Sequence, residues 1–232
     1  FGLVPFSHHV QVTLPGKFVV GADPTTDWTG CTQDRMYPHN LGVSTPDVND
    51  DETKWGHAQA PAHKNKGCGA YVPNSLIVRP VSDDHDGVTD QLRDMVPYAW
   101  THIALGFEFA WHLLTPNAPF TDVAPMSDDD NMKVVVLLTD GRQTEPAFGS
   151  GSTRKVSQGE KNLETLCENA KADGIRVITV AFDLQHKATE NRLRNCATDP
   201  DKDFFIADDG AEIATTFEAI KAELQEAIYI AK

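Results

Sequence analysis

Residues 133–141 read KVVVLLTDG, five consecutive aliphatic residues closed by Thr139, Asp140 and Gly141. A short unbroken apolar run rich in Val is how a central parallel strand covered on both faces reads, and Asp-Gly is a terminating turn signal. The pattern repeats downstream. Residues 160–173 carry Leu163, Leu166, Cys167 and Ala170 at helical spacing and stop at Gly174, and residues 175–182 (IRVITVAF) are a second strand. A helix over 188–196 leads into a short strand at 204–207 (FFIA), and 211–230 is a last helix with Ile213, Phe217, Ile220 and Leu224 on one face. Strands alternating with helices predict an α/β fold, a doubly wound and mostly parallel sheet with helices on both faces. Ligands of such sheets collect at the carboxyl ends of the strands, where Asp140 sits.

Upstream the signal is weaker. Residues 1–6 (FGLVPF) are apolar, and beyond Ser7-His8-His9 residues 10–14 (VQVTL) alternate like a half-buried strand, which predicts a hairpin. From 15 to about 74 the periodicity vanishes, because Pro24, Pro38, Pro46 and Pro61 interrupt each candidate element and Asn49-Asp50-Asp51-Glu52 reads as solvated. Structureless loops of about 60 residues are uncommon in compact domains. The stretch is therefore read as an irregular insertion, pinned by Cys31 and Cys68 near its ends and by Trp28 and Trp55. Residues 87–95 (GVTDQLRDM) put Val88, Leu92 and Met95 at helical spacing, and 101–114 (THIALGFEFAWHLL) is apolar nearly all round, which predicts a buried helix ended by Pro116 and Pro119. The whole chain, 1–232, is read as one domain.

With 40% apolar and 23% charged residues over 232 positions, the composition is that of a globular protein and excludes global disorder. Its 20 basic and 34 acidic residues give a net charge of -14, a field that repels nucleic acid and anionic lipid and attracts cations and basic partners. No run approaches the roughly 18 apolar residues that span a bilayer, and Phe1 opens no signal-peptide pattern, so no membrane insertion by this chain is expected. Four cysteines suit two disulfides in an oxidising compartment, or four separate thiols, while the lack of any Cys-x-x-Cys or Cys-x-x-His pair argues against zinc. Cys167 faces inward on one helix and Cys196 ends the next. Pairing Cys31 with Cys68 and Cys167 with Cys196 keeps each bridge within one structural unit and is favoured among three connectivities.

The best candidate for chemistry is Asp140 taken together with Thr101 at the start of the buried helix. A carboxylate just past a buried strand and a hydroxyl from a neighbouring loop offer two hard oxygens to Mg²⁺ or Ca²⁺. Taken singly, Asp140 also reads as a turn residue before Gly141 and Thr101 as a helix N-cap. The runs Asp83-Asp84-His85-Asp86-Gly87 and Asp128-Asp129-Asp130-Asn131 lack the closing Glu of a calcium loop and read as solvated turns. Ser7-His8-His9 are adjacent in sequence and do not form a nucleophile and base. His102 reads as a helix-start residue with local hydrogen bonds.

The segments FGLVPFS, PYAWTHIALGFEFAWHLLTPNAPF, VVVLLTDGRQT, LCENAKADGIRVITVAF and LRNCATDPDKDFFIADDGAEIATTFEAI, in that order, resemble the von Willebrand factor A domain. More narrowly, the Trp-Thr-Gly-Cys at Trp28, Thr-Pro-Asn-Ala-Pro-Phe at Thr115 and Asn195-Cys196-Ala197 resemble the extracytoplasmic A domain of TadG-like proteins of bacterial Flp/Tad pilus machinery. The resemblance implies a doubly wound sheet with a metal-ion-dependent adhesion site. That site takes ligands from an Asp-x-Ser-x-Ser motif after the first strand, a Thr before the third helix and an Asp after the fourth strand. Thr101 is similar to the Thr and Asp140 to the last Asp, and the implied cofactor is a divalent cation, Mg²⁺ first, with Ca²⁺ or Mn²⁺ as alternatives. Asp-x-Ser-x-Ser is absent from 1–232. The family places it upstream of the strand that FGLVPF resembles, so the resemblance implies that the chain starts after the first strand and helix. That strand would lie between 1–6 and 134–139, supplied by a separate fragment or lost; direct pairing of 2–5 with 134–138 would argue against this.

The resemblance implies an extracytoplasmic binding module rather than an enzyme, membrane-anchored in the full-length family member. Its expected partner is a pilus or cell-surface protein contributing a carboxylate to the metal. Two alternatives stand beside it, a metal-assisted hydrolase on the same edge and a structural domain with a decayed metal site.

Overall fold

The computed structural model of the protein describes residues 1–57, 76–97, 100–128, 130–151 and 153–230. They fall into two compact units, one of residues 1–127 with 143–166 and the other of 128–142 with 167–232.

In the first unit β1 (Val10–Pro15), β2 (Asp27–Gln33) and β3 (Gly56–His57) form an antiparallel sheet in that order, with Val10 opposite Thr32 and Leu14 opposite Trp28. The alternation read in VQVTL is real, since Val10, Val12 and Leu14 all point into the core. The expected partner was wrong. Among the described residues, 1–6 form no ladder with β1: Leu3 exchanges two backbone bonds with Arg79 (3.0 and 2.9 Å), Val4 and Phe6 pack against the apolar core, and β1 pairs with β2 from inside the stretch read as irregular. Pro5 has no N–H to give a ladder, and the Thr- and Gly-rich β2 hides its periodicity because its partner supplies the apolar row. Trp55 anchors the same stretch, fully buried and stacked on Phe109 at 5.2 Å.

Two α-helices follow in the first unit, and the second of these enters the core. α1 (His85–Asp94) is capped by Asp84, whose carboxylate accepts the Gly87 N–H at 3.0 Å. Its expected stripe does not go inward: Leu92 is 52% exposed and Gln91 is the buried residue. A polar clamp causes this, because Gln91 accepts from Arg79 Nε at 2.5 Å and donates to the Ile77 carbonyl at 2.7 Å. α2 (Ile103–His112) is buried nearly all round, as its sequence predicts, with Leu105 and Phe109 packed among Val10, Val12, Leu14, Phe18 and Trp55.

The second unit holds β4 (Val134–Thr139), β5 (Arg176–Phe182) and β6 (Phe204–Ala207), all parallel and in the order β4-β5-β6. They alternate with α3 (Val156–Ala172), whose last turns belong here, α4 (Lys187–Cys196) and α5 (Gly210–Ile230). Gly174 ends α3 at φ +83°, a conformation that favours glycine, and Ile175 N–H then closes onto the Ala170 carbonyl. β5 is covered on both sides. Thr179 Oγ1 donates to the Leu193 carbonyl of α4, whereas Ile178 and Val180 on the opposite face pack with Ile220 of α5. This is the doubly wound arrangement read from the alternation of elements. The expectation of full burial fails at the margin: Val136 is 39% and Phe217 44% exposed, although Val134 and Leu138 on either side of Val136 pack with Ile178, Val180 and Ile220.

Candidate functional site

Each strand of the parallel sheet runs into an aspartate: Asp140 after β4, Asp183 after β5, Asp208 after β6. Their environments differ. Asp183 accepts from Gln185 Nε2 at 3.3 Å. At Asp208 and Asp209 a reciprocal cap forms, with Asp209 accepting the Ala211 and Glu212 N–H groups (2.8 and 2.9 Å) while Glu212 accepts the Asp208 N–H at 2.6 Å. Thr139 closes the turn after β4 by bonding both the N–H and the carbonyl of Gly141. Asp140 itself is exposed, and its carboxylate makes no hydrogen bond or ion pair with the described residues.

Thr101 lies in the first unit, one residue before the N-cap of α2. The cap is His102, whose Nδ1 accepts the Leu105 N–H at 3.2 Å and whose own N–H donates to the Ser7 carbonyl at 2.6 Å. Thr101 is thus free of capping duty, and its backbone is fastened instead: its N–H donates to Thr144 Oγ1 at 2.8 Å, and its carbonyl accepts from Thr144 and Glu145 N–H at 2.9 and 3.0 Å. Its hydroxyl makes no hydrogen bond with the described residues. Next to it Gln143, 2% exposed, covers the start of α2, with Oε1 accepting from Ile103 N at 2.7 Å and from Ala104 N at 3.4 Å and Nε2 donating to the Glu145 carbonyl at 2.6 Å.

Sequence reasoning missed two buried polar clusters beneath this loop. In one, the Asp34 carboxylate takes Arg154 Nη2 at 2.5 Å and the Phe148 N–H at 2.7 Å, with His102 Nε2 facing it at 3.7 Å. Burial alone would raise the Asp34 carboxyl, but His102, Arg154 and the Phe148 amide together hold it below the ordinary range. In the other, the buried Arg35 donates from Nε to Glu108 at 2.8 Å, to the carbonyls of Ser44 (3.0 Å) and Gly42, and stacks its guanidinium over Trp55. Glu108 also accepts Trp55 Nε1 at 3.2 Å. Burial pushes Glu108 up to about 7 against the pull of Arg35, and burial with the Arg35 charge holds His112 well below the ordinary histidine range. A signal for this cluster was present: a single carboxylate inside the apolar run FEFAW must find a buried partner.

Cys167 and Cys196 are bonded, which joins α3 to α4. Cys31 is also disulfide-bonded, and its expected partner, Cys68, lies outside the described residues. The acidic runs are turns and caps, Asp84 on α1 and Asp128 on Asp130 N–H and Asn131; Asp129 lies outside the described residues. Among the described residues no group of three or more His, Cys, Asp and Glu could hold a metal, and no helix is long and apolar enough to cross a membrane.

The sequence profile of the von Willebrand factor type A domain matches residues 89–219, more than half of the chain. No curated protein matches. Among solved structures, proximal thread matrix protein 1 from the mussel byssus, with a zinc-occupied MIDAS motif, is similar at a TM-score of 0.42 and 18% identity, over 61% of this chain and 32% of that one. The open conformation of the pilus adhesin SpaC from Lactobacillus rhamnosus GG is similar at 0.42 and 15% identity, over 68% of this chain and 23% of that one. The chain thus spans a third or less of the solved proteins it resembles.

Proposed function

Because the chain belongs to the von Willebrand factor type A family, we propose that it is an adhesion-type protein-binding module that holds a divalent cation with Thr101 and Asp140 among the ligands. One observation carries the reading: the Thr101 hydroxyl and Asp140 carboxylate are left without hydrogen bonds among the described residues, while neighbouring groups of the same kind, Thr139, Thr144, Asp183 and Asp209, are all engaged locally. The fit to the cation is one of donor chemistry. A hydroxyl and a carboxylate are hard oxygens suited to Mg²⁺, with Ca²⁺ or Mn²⁺ as alternatives. Two protein ligands leave the remaining coordination positions to water and to a carboxylate of the partner.

A net charge of -14 favours a partner with a basic contact surface. The Cys167–Cys196 bond favours an oxidising, extracytoplasmic compartment, consistent with a pilus or cell-surface component as partner. The reading is binding rather than turnover.

Titration calorimetry with Mn²⁺ on the wild-type chain, Asp140→Ala and Thr101→Val tests it, alongside ester and phosphate probes. Saturable binding that both substitutions weaken, with no probe hydrolysis, is expected. Equal binding by all three proteins, or none by the wild type, overturns the site; hydrolysis abolished by Asp140→Ala overturns the binding-module reading.

A further inference from the structure

Thr101 has a fixed backbone and an uncommitted side chain. A β-branched threonine has few χ1 wells, so holding its backbone also restricts where its hydroxyl points. Three hydrogen bonds to Thr144 and Glu145 do the holding, and Gln143 fixes the following turn by covering the first N–H groups of α2. Gln143 is itself boxed in: a Cβ on Gly159 of α3 would come within 2.5 Å of its Nε2, so only glycine leaves room for it.

We infer that Gln143 and Thr144 are positioning residues that present the Thr101 hydroxyl to the divalent cation. The inference rests on the cation reading above. Ligand atoms need to be held within about half an ångström, and the residues that orient them typically change metal affinity 10- to 100-fold when removed.

The test uses the full chain and three variants, Thr144→Val, Thr144→Ser and Gln143→Ala, with two readouts: the Mn²⁺ dissociation constant, and amide hydrogen exchange at Thr101 and Ile103 in metal-free protein. Thr144→Val keeps the shape of the side chain and removes the acceptor of the Thr101 N–H. It is expected to speed Thr101 exchange and weaken Mn²⁺ binding about 10-fold or more, while Thr144→Ser restores both. Gln143→Ala is expected to speed exchange at Ile103 and weaken binding in the same way. If Thr101 exchange speeds up in a folded Thr144→Val protein that binds Mn²⁺ as tightly as the wild type, the positioning role is overturned and the cation reading stands. If the wild type binds no Mn²⁺, the cation reading fails and this inference fails with it.

Discussion

The Arg35 guanidinium donates to the Glu108 carboxylate at 2.8 Å with both side chains withdrawn from solvent, at relative exposures of 0 and 1%. The pair ties the stretch between β2 and β3 to α2, and three further guanidinium donors go to the Gly42 and Ser44 carbonyls and to His112. A buried pair of this kind contributes less through its own attraction than through the penalty of leaving one member alone.

Removing one member should therefore destabilise the first unit severely. Arg35→Met is expected to lower the unfolding free energy by about 3–5 kcal/mol, measured by urea denaturation. The double variant Arg35→Met/Glu108→Leu should recover much of that loss. A double variant no more stable than the single one would show that the pair's value lies in its own geometry.

The same cluster sets a pH dependence. Glu108 holds its proton in the fold up to about pH 7, against 4.5 when unfolded, so the stability it contributes is complete below 4.5 and is lost as pH rises through 7. His112 works the other way: its folded value is lowered from 6.5, so its contribution is present above 6.5 and is lost as pH falls. Asp34, also lowered, contributes above 3.8 and loses that contribution in stronger acid. Glu108→Gln removes the contribution that opposes His112. Its urea midpoint should rise more steeply between pH 5 and 6.5 than that of the wild type, and parallel slopes would contradict the assignment.

Gly159→Ala should be destabilising although alanine is the better helix former. The new methyl would lie 2.5 Å from Gln143 Nε2 and 2.8 Å from its Cδ, so Gln143 must leave its seat over the start of α2. Overpacking of this kind costs about 1–3 kcal/mol, more than the roughly 1 kcal/mol gained in helix propensity. A variant with a melting temperature at or above that of the wild type would show that Gln143 relocates freely.

Replacing both Cys167 and Cys196 by Ala opens a loop of 29 residues in the second unit. Chain-entropy arguments put the loss at about 3–4 kcal/mol, read as a lower urea midpoint. An unchanged midpoint would mean that packing of α3 on α4 is sufficient without the bond.

The second unit was largely legible in the sequence because its elements carry their own periodicity. KVVVLLT, IRVITVAF and FFIA are strands on their own evidence, and Gly174 marks the end of α3 without help from tertiary context. The first unit was not, because its structure is made by partnership. β2 (DWTGCTQ) acquires its place from the apolar row of β1, and α1 turns Gln91 inward because Arg79 and the Ile77 carbonyl receive it, which no apolar count reveals. Asp140 and Thr101 are legible as hard oxygens at element ends, one just past a buried strand and one at the start of a buried helix. Asp34, Arg35, Gln143 and Thr144 are not, because each acts through a residue far away in sequence: Arg154, Glu108, Ile103 and Thr101.

The most direct measurement is the anomalous difference density of a crystal grown with Mn²⁺. One ion is expected, bound by the Thr101 hydroxyl and the Asp140 carboxylate at about 2.0–2.6 Å and completed by water. An ion held elsewhere on the chain, or ordered Thr101 and Asp140 side chains with no ion between them at saturating Mn²⁺, would contradict it.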